Sequence, residues 1–445
     1  MKRSSRIGLC LTASLLLASV AWTDPEAAPQ AAPRLTLRAT YDTGLGIDGA
    51  EIISIRHTDG VAALTNVAGS VDVLDLSNPF QPRLLYRLEI DSAAGTPNSV
   101  AVHPHHDYFL VVIGTAGVTG VVAAYRLSDG AFLASAVVGI QPDSIAIAPN
   151  GQHAVIANEA EGVGLGQHGG PGSISIVNLT GFTGVRPAEL LVETIALSSQ
   201  TGTLGFSAGR TDDLARLPVD NTPDTLEPES VAFSHDSRFA YVTLQENSGV
   251  VRVDVLTAQL TFMGLGETTH AADLTVNGLY QPVQILTAFR EPDGIAVDRT
   301  GRFFVTADEG DTRNAAGSAG PRGGRTVSVF EADSGALLGD TGSQIDDAAA
   351  AANVYPDGRS NRGGSEPEVL DLTQHRGRTL VAVGLERANA VALIDVSDPT
   401  NPVVLDIAPV GVGPEGIKFF RVGSRLFVAA ANEVSGTVSL LEVVF

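Results

Sequence analysis

Apolar runs of four to six residues, rich in Val, Ile, Ala and Phe, recur along the chain between polar stops. Runs of this length and make-up, bounded by Gly, Pro, Asn and Asp, predict β-strands rather than helices. One phrase repeats: a Pro-acid pair, a short β-branched run, a turn, a second apolar run, a polar stop and a third run. Pro142-Asp143-Ser144-Ile145 leads to Ala157-Asn158-Glu159, and Pro228-Glu229-Ser230-Val231 leads to Val242-Thr243 with Glu246 beyond it. Pro292-Asp293-Gly294-Ile295 leads to Ala307-Asp308-Glu309, and Pro367-Glu368 leads to Gly384-Leu385-Glu386. Pro414-Glu415-Gly416-Ile417 leads to Ala431-Asn432-Glu433. Pro97-Asn98-Ser99-Val100 and Ala50-Glu51-Ile52-Ile53 are degenerate copies.

The seven copies start at 50, 97, 142, 228, 292, 367 and 414, with spacings of 47, 45, 86, 64, 75 and 47. The short spacings match a four-stranded blade of about 40–50 residues. An all-β, seven-bladed β-propeller follows. The long spacings predict insertions near 180–226 and 331–365, with a short helix over Asp346 to Asn353. The last copy supplies three strands and then the chain ends. The alternating segment Leu35 to Thr40 precedes the first copy and has no blade of its own. It is expected to complete the last blade and close the ring, leaving no open sheet edge.

The turns Pro149-Asn150-Gly151 and Arg299-Thr300-Gly301 join the first two strands of a blade as a hairpin. The Pro-acid pair and the polar stop therefore share one face near the axis. That places Glu51, Asp143, Glu229, Asp293, Glu368 and Glu415 there, joined by Glu159, Glu246, Glu309, Glu386 and Glu433. Such crowding needs cations, arginines or backbone N–H groups to offset the repulsion. Arg313, Arg322, Arg325, Arg359, Arg362 and Arg387 fall in or beside the same loops. A hard, oxygen-seeking cation, Ca²⁺, is the other candidate. The alternative is that each acid merely caps a strand end.

Composition narrows the function classes. The chain has 445 residues, with 50 acidic against 28 basic, and a formal charge of −22. Nucleic acid and anionic membrane surfaces are disfavoured partners. Lys2, Arg3 and Arg6 precede an apolar stretch from Ile7 to Val20, with small residues at Ser19-Val20-Ala21. This reads as a secretory signal peptide over 1–21, followed by an Ala- and Pro-rich lead-in over 22–33 and the propeller over 34–445. Cleavage removes three positive charges and no negative one, taking −22 to −25, and takes Cys10 with it. A thiol nucleophile is then excluded, and a periplasmic or secreted location is expected.

Other motifs carry less. His103-Pro104-His105-His106-Asp107 aligns with the first hairpin turn, on the opposite face, and reads as a turn rather than a metal site. The strings at Gly44/Gly46/Gly49 and Gly164/Gly166/Gly169 lack the strand–helix setting of a dinucleotide loop. Trp22 is the only tryptophan, which argues against ligands held by aromatic stacking.

Several of these segments resemble the choice-of-anchor I family. They are Ser365-Glu366-Pro367-Glu368, Gly384-Leu385-Glu386-Arg387, Ile394-Asp395-Val396-Ser397-Asp398-Pro399, Gly413-Pro414-Glu415-Gly416 and Ala431-Asn432-Glu433-Val434-Ser435-Gly436. Pro292-Asp293-Gly294, Asp308-Glu309-Gly310-Asp311-Thr312-Arg313 and Tyr355-Pro356-Asp357-Gly358-Arg359 are similar to the same pattern. The Asp398 to Pro402 step, echoed at Asn78 to Pro82, is similar to LVIVD and YVTN-type surface propellers. The resemblance implies an exported bacterial propeller, some relatives of which are labelled phytase-like or alkaline-phosphatase-like. Val369 departs from it, standing where the pattern has Gly, and no C-terminal anchor follows Phe445, so a soluble monomer is expected.

Two functions remain open. The first is a binding module whose acidic face takes Ca²⁺ and a small anionic ligand or a protein partner. The second is a metal-dependent phosphoesterase. In it Asp293, Glu309, Asp311, Glu368, Glu415 and Glu433 would hold cations, and Arg313, Arg359 and Arg387 would clamp the phosphate.

Overall fold

The computed structural model describes residues 32–66, 68–91, 95–160, 170–185, 189–197, 217–218, 225–309 and 323–445. Seven four-stranded antiparallel sheets surround a central channel, giving a seven-bladed β-propeller. The innermost strands of blades 1 to 7 are Ile53–Arg56, Thr96–Val102, Pro142–Ile147, Pro228–Phe233, Pro292–Val297, Pro367–His375 and Pro414–Val422. In blades 1 to 6 the chain then runs outward strand by strand.

Blade 7 is closed as its alternating pattern predicts. Arg34–Asp42 pairs antiparallel with Thr437–Val444, from Arg34 opposite Val444 to Asp42 opposite Thr437. Glu442 holds this seam by accepting from Arg38 Nε at 2.8 Å and Arg425 Nε at 2.6 Å. The terminal strands thus cover each other's open edge.

Each of the seven junctions between neighbouring blades carries its own apolar cluster. Leu64, Val71 and Phe109 belong to clusters flanking blade 1, and Phe419 and Val428 join blade 7 to Leu380 and Leu393 of blade 6. Middle strands such as Phe303–Asp308 are buried throughout, because both sheet faces are covered by adjacent blades. The ring is therefore held by side-to-side burial with no disulfide among the described residues.

The expected helix is present at Gln344–Ala351. It follows Leu337–Asp340, the outer strand of blade 5. The stretch 180–226 also contains an outer strand, Leu191–Ala196 of blade 3, and residues 198–216 lie outside the described ones. The extra length between blades 4 and 5 has a form the repeat pattern did not anticipate. It is a separate two-stranded hairpin, Glu267–Ala272 with Gln284–Phe289.

Arg325 ties these additions together. It is 1% exposed and donates to the carbonyls of Asp273 at the hairpin and of Ser360 in the loop after the helix, at 3.1 and 2.9 Å. Its Nη1 lies 3.6 Å from the helix carboxylate of Asp346. Arg325 is therefore a structural cation inside the additions, not a member of the channel rim.

Candidate acidic site at the channel mouth

Strand register explains why the acids gather. Pro142 faces Asn158, Pro292 faces Asp308, Pro367 faces Leu385 and Pro414 faces Asn432 across the first hairpin of each blade. The acid after each proline and the acid after each partner therefore lie at one end of the blade. A backbone bond fixes the second acid in place: Glu159 N donates to Gln141 O, Glu386 N to Glu366 O and Glu433 N to Gly413 O, at 3.0, 2.9 and 2.7 Å. The residue before the proline bends there, with φ of +45° at Gln141, +45° at Glu291 and +53° at Glu366.

Glu51, Asp143, Glu229, Asp293, Glu368 and Glu415 all line one channel of about 560 Å³. Asn98 holds the corresponding place in blade 2. Glu246 is displaced: Leu244 faces Pro228, so Gln245 takes the stop position and Glu246 falls one residue later. Gln245 donates to Glu309 Oε2 at 2.7 Å.

The ring is not uniform. Among the described residues, carboxylate oxygens converge within 4.8 Å of one another in three overlapping triads, all in blades 5 to 7. They are Asp293–Glu309–Glu368, Glu309–Glu366–Glu386 and Glu368–Glu386–Glu415. Neighbouring blades approach closely enough for this because of glycine. A Cβ on Gly294 would stand 2.6 Å from the Glu368 carbonyl, and one on Gly384 would stand 2.5 Å from the Pro414 carbonyl. Val369, in contrast, has room for its side chain and packs on the apolar cluster between blades 6 and 7.

Burial and mutual repulsion hold protons on these groups. Burial first, then Asp143 and Glu386, pushes Asp293 up to about 8. Burial raises Glu386 to about 7 even though Arg387 opposes it. Burial and a hydrogen bond shared with Glu433 raise Glu415 to about 10. Glu368 is pushed well above the carboxylate range by burial and then by Glu309, Glu415, Asp293 and Glu386. Glu51 and Glu229 are raised for the same reasons.

Of the residues singled out from sequence, the structure brings together Asp293, Glu309, Glu368 and Glu415. Glu433 is one step away, bonded to Glu415. Asp311, Arg313 and Arg322 lie outside the described residues. Arg359 and Arg387 are at the site but engaged: their Nε atoms each donate to one oxygen of Glu366 at 2.9 Å, and Arg387 also pairs with Glu386. Sequence reasoning missed Glu366 as a site residue. Its signal was the acid before the proline in Glu-Pro-acid, which recurs at Glu227 and Glu291.

The histidine turn is structural. His103 is 1% exposed, with Nε2 3.0 Å from Gly151 O and Nδ1 accepting from His105 N and His106 N. Both ring nitrogens are used, which leaves no lone pair for a metal.

The choice-of-anchor I domain pattern matches residues 51–322 and 314–399, and the chain belongs to that family. No curated protein matches the sequence. Among solved structures, Kuenenia stuttgartiensis hydrazine synthase is similar with 14% identity and a TM-score of 0.56, over 89% of this chain and 96% of that one. The WD40 repeats of RRP9 are similar with 10% identity and a TM-score of 0.58, over 93% and 99%. At such identities the likeness shows the propeller fold alone. A propeller of this family fits a binding module, and the family points to a surface or extracellular protein of bacteria. No helix among the described residues is long and apolar enough to cross a membrane.

Proposed function

We propose that this protein is an exported binding module that holds a divalent cation, Ca²⁺, at the blade 5–7 sector of its channel mouth. Through that cation it takes a small anionic ligand or an acidic group of a protein partner. The observation that carries the reading is the set of three converging carboxylate triads. Oxygens sharing one Ca²⁺ at about 2.4 Å can stand up to about 5 Å apart, which suits this spacing. The signal-like segment at 1–21, outside the described residues, supports export. Neutralising the crowded acids would release the repulsion that now keeps them protonated.

A phosphoesterase would use the same cations but needs arginines turned to the substrate. Arg359 and Arg387 both serve Glu366 instead, so binding is the preferred reading. The test is thermal melting of the mature protein with Ca²⁺ and with chelator. Ca²⁺ should raise the midpoint by several degrees, and Glu368→Gln should abolish the rise. An unchanged midpoint in the wild type would remove the cation site.

A further inference from the structure

The three triads are not equivalent. Glu309–Glu366–Glu386 already has its countercharge: both oxygens of Glu366 accept from arginine, and Glu386 pairs with Arg387. The other two triads share one residue, Glu368. Its Oε2 is sealed from solvent and has no hydrogen-bond partner. Glu368 offers an oxygen within 4.8 Å of those of Asp293 and Glu309 on one side and of those of Glu386 and Glu415 on the other. A buried carboxyl oxygen without a partner is unfavourable unless a hydrogen-bond donor or a cation meets it.

Resting on the cation reading above, we propose that the mouth holds two cations bridged by Glu368, one against Asp293, Glu309 and Glu368 and the other against Glu368, Glu386 and Glu415. The backbone fixes the bridge in place. Glu368 follows Pro367 on the innermost strand of blade 6, which Gly294 of blade 5 touches on one side. On the other side Pro414 of blade 7 presses on Gly384. Each cation thus takes carboxylates from two adjacent blades, and Glu368 in the middle blade is common to both. Glu386 offers one oxygen to Arg387 and keeps the other for its cation. Ca²⁺ suits this arrangement, because it accepts six to eight oxygens in irregular geometry, whereas Mg²⁺ demands a near-ideal octahedron. Water or ligand oxygens complete each shell.

The experiment is Ca²⁺ titration of the mature protein by calorimetry, with native mass spectrometry as the count. The wild type should bind two ions. Glu309→Gln and Glu415→Gln should each retain one, because each removes a ligand from one side only. Glu368→Gln should weaken both at least tenfold, and Glu368→Asp, which keeps the charge but draws it back, should fall between. Unchanged circular dichroism of the metal-free variants shows that they fold. One ion in the wild type overturns the bridge and leaves the single-cation reading standing. A Glu368→Gln variant that keeps one ion at wild-type affinity also overturns it. No ion at all removes both readings.

Discussion

At the residue scale, the repeated Pro-acid-Gly phrase has two causes that act on different neighbours. The proline starts the innermost strand with its N–H already surrendered. The glycine serves the next blade: a Cβ on Gly294 meets the Glu368 carbonyl at 2.6 Å, and one on Gly416 collides with the Glu51 carbonyl. Gly294→Ala and Gly416→Ala should each destabilise the protein by about 1–3 kcal/mol in denaturant unfolding. Gly294→Ala should also weaken Ca²⁺ binding by displacing Glu368. The acids were legible in the sequence because their spacing repeats. The contacts of Gly294 and Gly416 were not, since each joins residues more than 70 positions apart. His103 gives a second expectation. Burial lowers it from 6.5 to about 4, so the folded chain refuses a proton that the unfolded chain accepts below 6.5. The stability it contributes is present above pH 6.5 and is lost as pH falls toward 4. The stability difference between wild type and His103→Gln should shrink over that window by up to about 1.4 kcal/mol per pH unit.

At the element scale, the strand Arg34–Asp42 is the clasp of the ring. Its role was readable because an alternating segment stood outside the first repeat while the last repeat lacked a strand. Deleting residues 34–42 should expose the edge of Thr437–Val444, lower the melting midpoint by about 10 °C or more and promote association, as light scattering would show. The additions over blades 5 and 6 were less legible. The hairpin Glu267–Ala272 with Gln284–Phe289 has no counterpart among the described residues of the other blades, so repeat comparison carried no signal for it. Arg325, set in the loop before a blade 5 strand, resembled a rim arginine in the sequence but turns inward to bind backbone carbonyls. Arg325→Met takes from buried Asp346 the guanidinium beside it and should cost about 3–5 kcal/mol. Proteolysis within 273–283 should speed up in that variant.

At the scale of the whole molecule, six of the seven blades turn an acid toward one channel, and among the described residues the converging triads all lie in blades 5 to 7. The sequence pattern showed the ring and not its asymmetry. Asymmetry arises where Glu-Pro-Glu, the Glu386 stop and the close glycine contacts coincide in blades 5 to 7. The pH dependence follows from the raised groups. In metal-free protein the folded chain keeps protons that the unfolded chain releases above about pH 4.5. With Asp293 at about 8, Glu386 at about 7 and Glu415 at about 10, this contribution is complete below pH 4.5 and drains away as pH rises through those values. The Ca²⁺-induced rise in melting midpoint should therefore be larger at pH 8 than at pH 5.

The most direct measurement is an anomalous difference map from crystals of the mature protein grown with Mn²⁺ or Tb³⁺ in place of Ca²⁺. The account predicts density at the channel mouth against Glu368, between Asp293 of blade 5 and Glu415 of blade 7. A mouth without density, or ions found only on the opposite face, would contradict it.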